Sequence, residues 1–462
     1  MSNKNKTQLD DVRTERQQEI VDKWIANNGR GTALAVTGFG KTRTLLMGAE
    51  ACVNSKNAVT QRDVTVIVPT NYLKKEWEEA LQHYNFPSKV YTIQTLIRRY
   101  NAGKKLRTSI LLPDEIHRYT SDQFGTLFNI VSYDFIFGAS ATIDTEDEKY
   151  AIVNDKCPII DKVTLDEAKS NNWVSDFIIY NLAIELSDEE QILYNKMTNK
   201  FSKYFGTFNW DFDLAMQCFG NDDACKRVAS FLGWDPQAVK IHAVQLFRVI
   251  QDRKFFLYNL DSKIKVAKEI IDRFPDRIFI TFSESTEFAE RLAEEIGDEA
   301  VAYHSNLTTL VVDDKKKVVA KAVKVDNRTK YKDKSGNLYT WDQIKSAYPN
   351  KKLSLLGNKR RKDLAIKRFK DGRTKIRAVS TAKALDEGAN FPSLSASIVT
   401  SGSSKTRQSI QRLGRMIRYQ EGKSAFQVEL YAKGTQDEKW LIRRQEESIN
   451  IQWITSINQI KA

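Results

Sequence analysis

Short apolar runs and amphipathic stretches alternate along the first third of the chain. Each run holds four to six residues and is rich in β-branched or aromatic side chains, whereas the stretches between the runs space their apolar residues as a helix does. Short buried strands separated by helices predict a parallel sheet that is covered on both faces. The runs occupy residues 32–36, 65–68, 90–93, 109–112 and 133–138.

The pattern changes at residue 187 and returns at about residue 260. Residues 187–259 have helical periodicity without strand alternation, so we interpret them as a helical insertion. Its aromatic residues could form the core of a small helical subdomain or stack on bases. A second α/β unit begins with a helix over 261–274, a strand over 277–282 and a helix over 285–296. The aromatic residues in question are Tyr204, Phe205, Phe208, Trp210 and Phe212.

A second insertion, residues 307–358, lies in a strongly basic segment. Residues 307–377 contain 22 lysines and arginines against 7 aspartates and glutamates, while the whole chain has a net charge of +13. Positive charge confined to one segment is typical of a surface that binds a polyanion. A Ser-Gly-Asn turn at 335–337 predicts a β-hairpin whose lysines would neutralise phosphates and whose aromatics would stack on a base; a solvated insertion with packed aromatics is the alternative. The hairpin side chains are Lys330, Tyr331, Lys332, Lys334, Tyr339 and Trp341.

The remaining composition is that of an ordinary globular protein. The 462 residues are 41% hydrophobic and 28% charged, which suffices for two or three domains with their own cores. The four cysteines lack zinc-ligand spacing and are expected to be reduced. The N-terminus is polar and no apolar run is long enough to span a bilayer, so we expect a cytoplasmic location.

The first candidate site is the segment Ala-Val-Thr-Gly-Phe-Gly-Lys-Thr at 35–42, between a predicted strand and a predicted helix. Such a turn aims backbone N–H groups and the positive end of the helix at one point. Lys41 could then reach the β- and γ-phosphates of a nucleotide, and the Thr42 hydroxyl could ligate Mg²⁺. Ala35 stands where this pattern usually has its first glycine, and an ordinary turn with a surface lysine is the alternative. The amide of the upstream Gln17 could read an adenine edge. The expected nucleotide-binding residues are Gln17, Thr37, Gly38, Phe39, Gly40, Lys41, Thr42 and Arg43.

An acidic cluster follows the fourth predicted strand. Asp114 and Glu115 are expected at the carboxyl end of that strand, where the ligands of parallel sheets gather. Asp114 would hold Mg²⁺, and Glu115 would polarise an attacking water. His117 could couple this site to its surroundings. An acidic turn without a ligand is the alternative.

The second half of the chain contributes a cationic cluster. Gln411, Arg415 and Arg418 are separated by four and three residues, so they share one face of a predicted helix. Two arginines on one face can clamp a γ-phosphate and stabilise its transition-state charge. A generic basic helix is the alternative.

In this order, the motifs resemble those of superfamily 2 helicases. The phosphate loop, the Asp-Glu-Ile-His box at 114–117 (a DEAH variant) and Ser-Ala-Thr at 140–142 resemble motifs I, II and III. Residues 68–70 resemble motif Ia, 92–95 the next DNA-contacting motif, 381–392 motif V and 408–418 motif VI. The resemblance implies an α/β fold with two RecA-like parallel-sheet motor domains in tandem, which use ATP and Mg²⁺ to move on DNA. Arg16 and Gln17 depart from the spacing usual in the family.

The resemblance also implies domain limits and contacts. Motor domain 1 would span 1–186, the helical insertion 187–259, and motor domain 2 would span 260–462 and contain the basic insertion at 307–358. ATP would close the cleft between the motor domains, and hydrolysis would open it. It assigns catalysis to Lys41, Asp114, Glu115, Gln411, Arg415 and Arg418. It also assigns nucleotide binding to Gly388, and DNA binding to Pro69, Thr70, Thr92, Gln94 and Thr381.

The compact chain resembles, more narrowly, phage-encoded helicases that remodel forks and branched recombination intermediates. This implies a monomeric motor in the host-cell cytoplasm that acts in DNA replication, recombination, repair and branch migration. An RNA-dependent ATPase is one alternative, because a motor that tracks phosphates need not read the sugar. A nucleic-acid binding module that does not hydrolyse nucleotide is another, against which the intact catalytic set argues.

Overall fold

A computed structural model describes residues 3–55, 62–120, 125–141, 143, 149–315, 317–370, 375–382, 394–402, 424–445 and 450–461. The described strands form two parallel sheets and one antiparallel sheet. The parallel α/β architecture expected from the sequence is therefore confirmed. No helix in these ranges is long and apolar enough to cross a membrane.

The first part of the chain folds around a six-stranded parallel sheet. Its elements are α1 (Asn3–Ala26), β1 (Arg30–Ala35), α2 (Lys41–Val53), β2 (Val64–Val68), α3 (Asn71–Leu81), β3 (Ser88–Thr92), α4 (Ile93–Asn101), β4 (Leu106–Pro113), a 3-10 turn (Ile116–Thr120), α5 (Leu127–Ile130), β5 (Val131–Ser140), α6 (Tyr150–Lys156), β6 (Ile159–Val163) and α7 (Leu165–Ser170). The strand order is β3-β2-β4-β5-β1-β6. All five strands predicted from the apolar runs are present.

Both faces of this sheet are covered, which explains why its strands are apolar throughout. Successive residues of a strand point to opposite faces, so Val66 and Val68 enter one core while Ile67 enters the other. Trp24 lies in the first core and stacks on Phe137 at a ring-centroid distance of 4.8 Å. The carboxyl ends of all six strands consequently share one edge, where the phosphate loop and the acidic box are found.

The next part of the chain contributes one strand and a helical subdomain. Its elements are β7 (Asp176–Ile184), α8 (Asp188–Gly206), α9 (Phe212–Gly220), α10 (Asp222–Leu232) and α11 (Pro236–Tyr258). Phe208 is buried in the core of this subdomain, with Tyr204 and Phe205 packed against it. Trp210 and Phe212 are instead 58% and 48% exposed. The aromatic cluster is thus divided between a small core and its surface.

The rest of the chain builds the second parallel sheet and the antiparallel sheet. Its elements are α12 (Asp261–Arg273), β8 (Phe279–Ser283), α13 (Thr286–Ile296), a 3-10 turn (Gly297–Glu299), β9 (Ala300–His304), β10 (Leu310–Val312), β11 (Val318–Val325), β12 (Arg328–Asp333), β13 (Leu338–Tyr339), α14 (Trp341–Ala347), β14 (Ser354–Leu356), α15 (Asn358–Lys370), β15 (Ala378–Ala382), β16 (Ala396–Val399), β17 (Ser424–Ala432), α16 (Gln436–Arg444), β18 (Ile451–Ile454) and a 3-10 turn (Ile457–Gln459). The second parallel sheet has the order β18-β7-β17-β16-β8-β15-β9.

One expected domain limit differs from the structure. We expected the first motor domain to extend to residue 186, but β7 pairs with β17 and β18 in the second sheet. The chain therefore enters the second sheet at Asp176, before the helical subdomain. The C-terminal segment also joins the second sheet, through the strand β18. An apolar strand pattern does not state which sheet the strand joins, because that depends on partners far away in sequence.

The basic insertion is a small domain rather than a lone hairpin. The predicted hairpin is present as β12 and β13, but it is the edge of an antiparallel sheet with the order β13-β12-β11-β10-β14. α14 packs on one face of this sheet through Ile344, which shares a core with Val311, Ala320 and Tyr331.

A buried ion pair joins α12 to α16 at the end of β16. Lys263 is fully buried, and its Nζ donates to Asp437 Oδ2 at 2.6 Å and to the carbonyl oxygens of Thr400 at 2.8 Å and Leu257 at 3.1 Å. Burial lowers the pKa of Lys263, and the charge of Asp437 opposes that effect. All three ammonium protons have acceptors, so the buried charge is fully hydrogen-bonded.

We expect Lys263→Met to lower the melting temperature strongly, because Asp437 would remain buried as an unpaired carboxylate. Breaking a buried pair costs about 3–5 kcal/mol. Adding Asp437→Asn to Lys263→Met should recover part of that loss, since the second charge is then also removed. Differential scanning calorimetry measures both effects, and the exposed neighbour Lys265→Met is the control. Equal melting temperatures for Lys263→Met and Lys265→Met would contradict this role.

Candidate ATP site and nucleic-acid surfaces

The phosphate loop, residues 36–40, joins β1 to α2. Gly38 and Gly40 have φ values of 96° and 101°, in the left-handed region that glycine adopts without a steric penalty. Gly40 caps α2 without a side-chain acceptor, so the first-turn N–H groups remain open to an anion. Lys41 Nζ donates to the carbonyl oxygen of Ala35 at 3.3 Å, which folds the ammonium over the loop. Thr42 and Arg43 are exposed in the first turn of α2.

Gln17, which we expected to read a nucleotide base, instead supports the loop from behind. It is 1% exposed, and its Nε2 donates to the carbonyl oxygen of Phe39 at 3.0 Å. A Cβ on Gly40 would lie 2.6 Å from the same Nε2, so the close approach requires glycine there. The side chain that sequence reasoning assigned to the base therefore positions the loop in this structure.

The helix that carries Gln17 is held in place by an ion-pair network. Arg16 binds Asp161 of β6 at 2.6 Å and Glu167 of α7 at 2.7 Å. Lys23 also reaches Asp161, at 2.8 Å. Burial raises the pKa of Asp161, but the bonds from Arg16 and Lys23 outweigh burial and hold the pKa at about 2. Asp161 is thus charged at any ordinary pH, and α1 stays pinned beside the phosphate loop.

Asp114 follows β4 directly, and its carboxylate is buried. The residue is 7% exposed, and its Oδ2 accepts from the indole Nε1 of Trp77 at 2.8 Å while its Oδ1 accepts from the backbone N of Glu115 at 2.9 Å. Burial and the charge of Glu115 raise the pKa of Asp114 to about 6, against the Trp77 bond and the positive charge of Lys41. The phosphate-loop lysine and the acidic box therefore lie close enough to interact.

Glu115 and His117 extend the site toward β5. Glu115 has φ 51°, a left-handed conformation that is uncommon outside glycine and that often marks functional residues. Its Oε2 lies 3.3 Å from His117 Nδ1 and has no hydrogen-bond donor within the described ranges. His117 Nδ1 also shares a hydrogen bond of 2.8 Å with the Ser140 hydroxyl at the end of β5. The ring thus connects the acidic box to the Ser-Ala-Thr segment, whose Thr142 lies outside the described residues.

These groups fit a magnesium-bound nucleotide. Asp114 has a raised pKa that a bound cation would lower, and Glu115 has a buried carboxylate oxygen with unused acceptor capacity. The Thr42 hydroxyl is exposed at the start of α2. Carboxylate and hydroxyl oxygens are ligands that Mg²⁺ prefers, and open helix N–H groups with a lysine suit phosphates.

A second cluster of expected residues lies at the other end of the same sheet edge. Thr70 caps α3 and Thr92 caps α4, each hydroxyl accepting from a backbone N–H at 3.3 Å. Gln94 Nε2 donates to the carbonyl oxygen of Pro69 at 3.4 Å, so the two segments meet. Gln94 is exposed, whereas Thr92 is 5% exposed and its hydroxyl is used for the cap. The four residues expected to contact DNA are therefore brought together beside β2 and β3.

In the insertion, the structure separates the lysines from the aromatics. Tyr331 is 9% exposed and lies in the insertion core, with the Trp341 ring 5.3 Å away between centroids. Tyr339 is partly buried against the same core, and its hydroxyl donates to Asp333 Oδ2 at 3.1 Å. The expectation that these aromatics stack on bases is therefore not supported, because their rings hold the insertion together.

The lysines occupy the opposite face of that sheet. The register pairs Lys321 with Lys332 and Val323 with Lys330, so these side chains point to the face away from Tyr331. Like charges directly opposite each other are unfavourable in an isolated protein. Lys330, Lys332 and the turn residue Lys334 have no carboxylate partner in the part of the chain that the structure describes. An anionic ligand would relieve this repulsion.

The remaining expected site residues are either buried or outside the described ranges. Thr381, expected to contact the nucleic-acid backbone, lies in β15 and is 1% exposed, so its side chain does not reach the surface in this conformation. Gly388, Gln411, Arg415 and Arg418 lie outside the described residues. Trp77 was missed by sequence reasoning, because nothing in the pattern of α3 shows that its indole reaches Asp114 across the sheet edge.

A family model matches the part of the chain that contains the phosphate loop. The model described as Type III restriction enzyme, res subunit, matches residues 11–95. These residues include Gln17, the phosphate loop and the segments around Thr70 and Thr92.

One relative and two solved structures resemble most of the chain. The DNA 3'-5' translocase XPB2 of Sulfurisphaera tokodaii is 22% identical over 457 residues, which cover 96% of this chain and 86% of that protein. The Hef helicase domain of Pyrococcus furiosus has a TM-score of 0.53 at 14% identity, covering 93% of this chain and 98% of that one. Dbp5 of S. cerevisiae, bound to RNA and ADP BeF3, has a TM-score of 0.51 at 12% identity, covering 95% and 89%. The structural similarities show the tandem RecA-like fold.

We expect Trp77→Phe to weaken the metal site while keeping an aromatic ring in the core. The change removes the hydrogen bond to Asp114 Oδ2, and losing such a supporting contact costs about 10–100-fold in metal affinity or activity. Titrating Mg²⁺ in a nucleotide-hydrolysis assay should show a half-saturating concentration at least about tenfold higher.

Trp24→Phe is the matched control for this variant. It also removes a buried indole hydrogen bond, to the carbonyl oxygen of Ile136, but it does not touch Asp114. If both variants shifted the Mg²⁺ requirement equally, the effect would come from general destabilisation of the core.

Proposed function

We propose that this chain, which belongs to superfamily 2 of the ATP-dependent DNA helicases, is a translocase that hydrolyses ATP to move on DNA and to remodel forks and branched intermediates. The observation that carries the proposal is the buried Asp114 carboxylate, which the positive charge of the phosphate-loop Lys41 stabilises, beside Glu115 and its unused carboxylate oxygen. A phosphate-binding lysine and a carboxylate pair at one edge of a parallel sheet are the groups that phosphoryl transfer to water requires.

Each residue has a distinct role in hydrolysis. Lys41 and the first N–H groups of α2 bind and orient the terminal phosphates of ATP, while Glu115 orients the attacking water and accepts its proton. Asp114 and Thr42 would hold Mg²⁺, which neutralises phosphate charge when bound. His117 lies between Glu115 and Ser140 and is hydrogen-bonded to Ser140, so a change at the nucleotide can be passed to the end of β5.

The second motor domain completes the site in this proposal. Arg415 and Arg418 would bring positive charge to the γ-phosphate as the cleft closes, with Gln411 on the same face of their helix. A single chain then contains both halves of the cleft, so a monomer can complete the cycle. Alternate closing and opening would move a polyanion that is bound across both domains.

We propose DNA as the track for two reasons, which are the charge of the basic insertion and the similarity to XPB2. Lys330, Lys332 and Lys334 of the insertion are positive charges without carboxylate partners in the described ranges. XPB2 is named a DNA translocase, and we extend that property to this chain. The fold is also shared with Dbp5 in its RNA-bound structure, so RNA is the competing track that an experiment must include.

We expect Lys41→Ala to reduce DNA-stimulated ATP hydrolysis about 100–1,000-fold, because removing one transition-state charge contact costs about 2.7–4 kcal/mol. Glu115→Gln should lower turnover about 10²–10⁴-fold while ATP still binds, because only the base is lost. Phosphate release should be measured with duplex, single-stranded and forked DNA and with RNA at one salt concentration.

Lys75→Ala, which replaces an exposed lysine on α3, is the control for these variants. Wild-type ATP hydrolysis by Lys41→Ala would contradict the proposed mechanism. Stimulation by RNA above every DNA substrate would replace DNA by RNA as the track.

We expect the triple variant Lys330→Gln, Lys332→Gln, Lys334→Gln to bind forked DNA more weakly and with less salt dependence. Each phosphate contact contributes about 0.9 to the slope of log K against log salt, so the slope should fall by about 2–3. These substitutions keep the insertion folded, whereas deleting residues 328–341 would remove Tyr331 and Trp341 from its core. Fork unwinding should decrease more than basal ATP hydrolysis.

The matched control replaces Lys196, Lys200 and Lys203 of α8 by glutamine. These three lysines are exposed, and the net charge changes by the same amount as in the insertion variant. An equal loss of DNA affinity in both triple variants would show that overall charge, rather than the insertion face, attracts DNA.

A further inference from the structure

The basic insertion is attached to the second sheet through a narrow neck. Residues 305–309 lead out of β9, and residues 357–361 lead back into α15. The side-chain amide of Asn358 donates to the carbonyl oxygen of Ser305, so the two segments lie side by side. A domain on such a neck would pivot unless contacts with a neighbouring element fixed its orientation.

Glu290 of α13 contacts both segments of the neck. Its Oε1 accepts from the backbone N of Thr308 at 2.8 Å and lies 3.4 Å from Arg361 Nη1, which also donates to the carbonyl oxygen of Thr308. His304 Nε2 lies 3.3 Å from the same Oε1. Because His304 Nδ1 accepts the N–H of Asn306, Nε2 carries the ring proton and faces the carboxylate.

The charge of Glu290 is secured by these contacts. Burial raises its pKa, but the nearby His304 ring, the hydrogen bond from the backbone N–H of Thr308 and the charge of Arg361 outweigh burial and hold the pKa at about 2. The side chain is 14% exposed, so the contacts are largely shielded from water. The carboxylate therefore remains an anion that holds the neck at any working pH.

The same helix also holds the body of the insertion. Glu294, four residues after Glu290 and thus on the same helix face, forms an ion pair with Lys321 of β11. The other face of α13 is fixed in the core of the second sheet through Phe288 and Leu292. One helix thereby connects the core of the motor domain to the insertion at two points.

We propose that Glu290 is a positioning residue that fixes the insertion relative to the second motor sheet, so that DNA held on the insertion moves with that sheet during each ATP cycle. This inference rests on the proposed function. Hydrolysis itself does not involve the neck, because none of the residues assigned to hydrolysis lies in residues 305–309 or 357–361. The number of base pairs opened per ATP does depend on the neck, since a pivoting insertion would absorb the domain movement.

The test compares Glu290→Gln with the full-length wild-type chain on forked DNA. The variant keeps the side-chain shape but removes the charge that holds Arg361. We expect DNA-stimulated ATP turnover within twofold of wild type, at least fivefold fewer base pairs unwound per ATP, and faster amide hydrogen exchange over 305–309. The control is Glu295→Gln, an exposed neighbour on α13 without an ion pair in the described ranges, and it should match wild type in all three.

Each outcome separates this inference from the proposed function. Wild-type coupling in Glu290→Gln, or unchanged exchange at the neck, would overturn the positioning role. Wild-type protein that neither hydrolyses ATP on DNA nor unwinds forks would overturn the proposed function and with it this inference. Should Glu290→Gln fail to fold, Arg361→Gln removes the other half of the contact and must show the same loss of coupling.

Discussion

The burial of the Asp114 carboxylate at the end of β4 is the constraint around which the candidate site of the first sheet is arranged. A carboxylate in an apolar environment is costly, and burial accordingly raises the pKa of Asp114 to about 6. The site tolerates this cost because Trp77 donates a hydrogen bond, Lys41 supplies positive charge, and a bound metal ion would add more. The surrounding elements hold these charged groups in place. Among them are α1, which is fixed by its ion pairs, and the left-handed backbone of Glu115.

Buried ion pairs perform a related task in the second domain. Lys263 and Asp437 tie α12 and α16 to the end of β16, and Arg444 binds Glu429 of β17 at 2.6 Å with both residues nearly inaccessible. Such pairs add little stability compared with apolar packing of the same volume, but they become very unfavourable when separated. They therefore specify one arrangement of helices against the second sheet, from which the chain continues toward residues 411–418.

The insertion shows how one sheet can provide both stability and a binding surface. Alternation along β12 sends Tyr331 into a core and its neighbours Lys330 and Lys332 to the other side. The rings that could have stacked on bases are used for packing, and the remaining face is suited to phosphates. In the proposed motor, the insertion thus binds the DNA backbone without reading bases. Its contacts with α13 determine whether the bound DNA moves with the second sheet.

The parts of this protein that depend on local order along the chain could be predicted from its residues alone. The five strands of the first sheet, the phosphate loop, the acidic box and the helical character of 188–258 follow from periodicity and from residues that are close together in the chain. Tertiary structure decided the contacts between distant segments. It placed β7 in the second sheet, turned Gln17 toward the loop carbonyls, brought Trp77 to Asp114 and buried Tyr331 and Thr381. Local propensity cannot choose among these possibilities, because a strand, an amide or an aromatic ring finds its partner only when remote elements have packed around it.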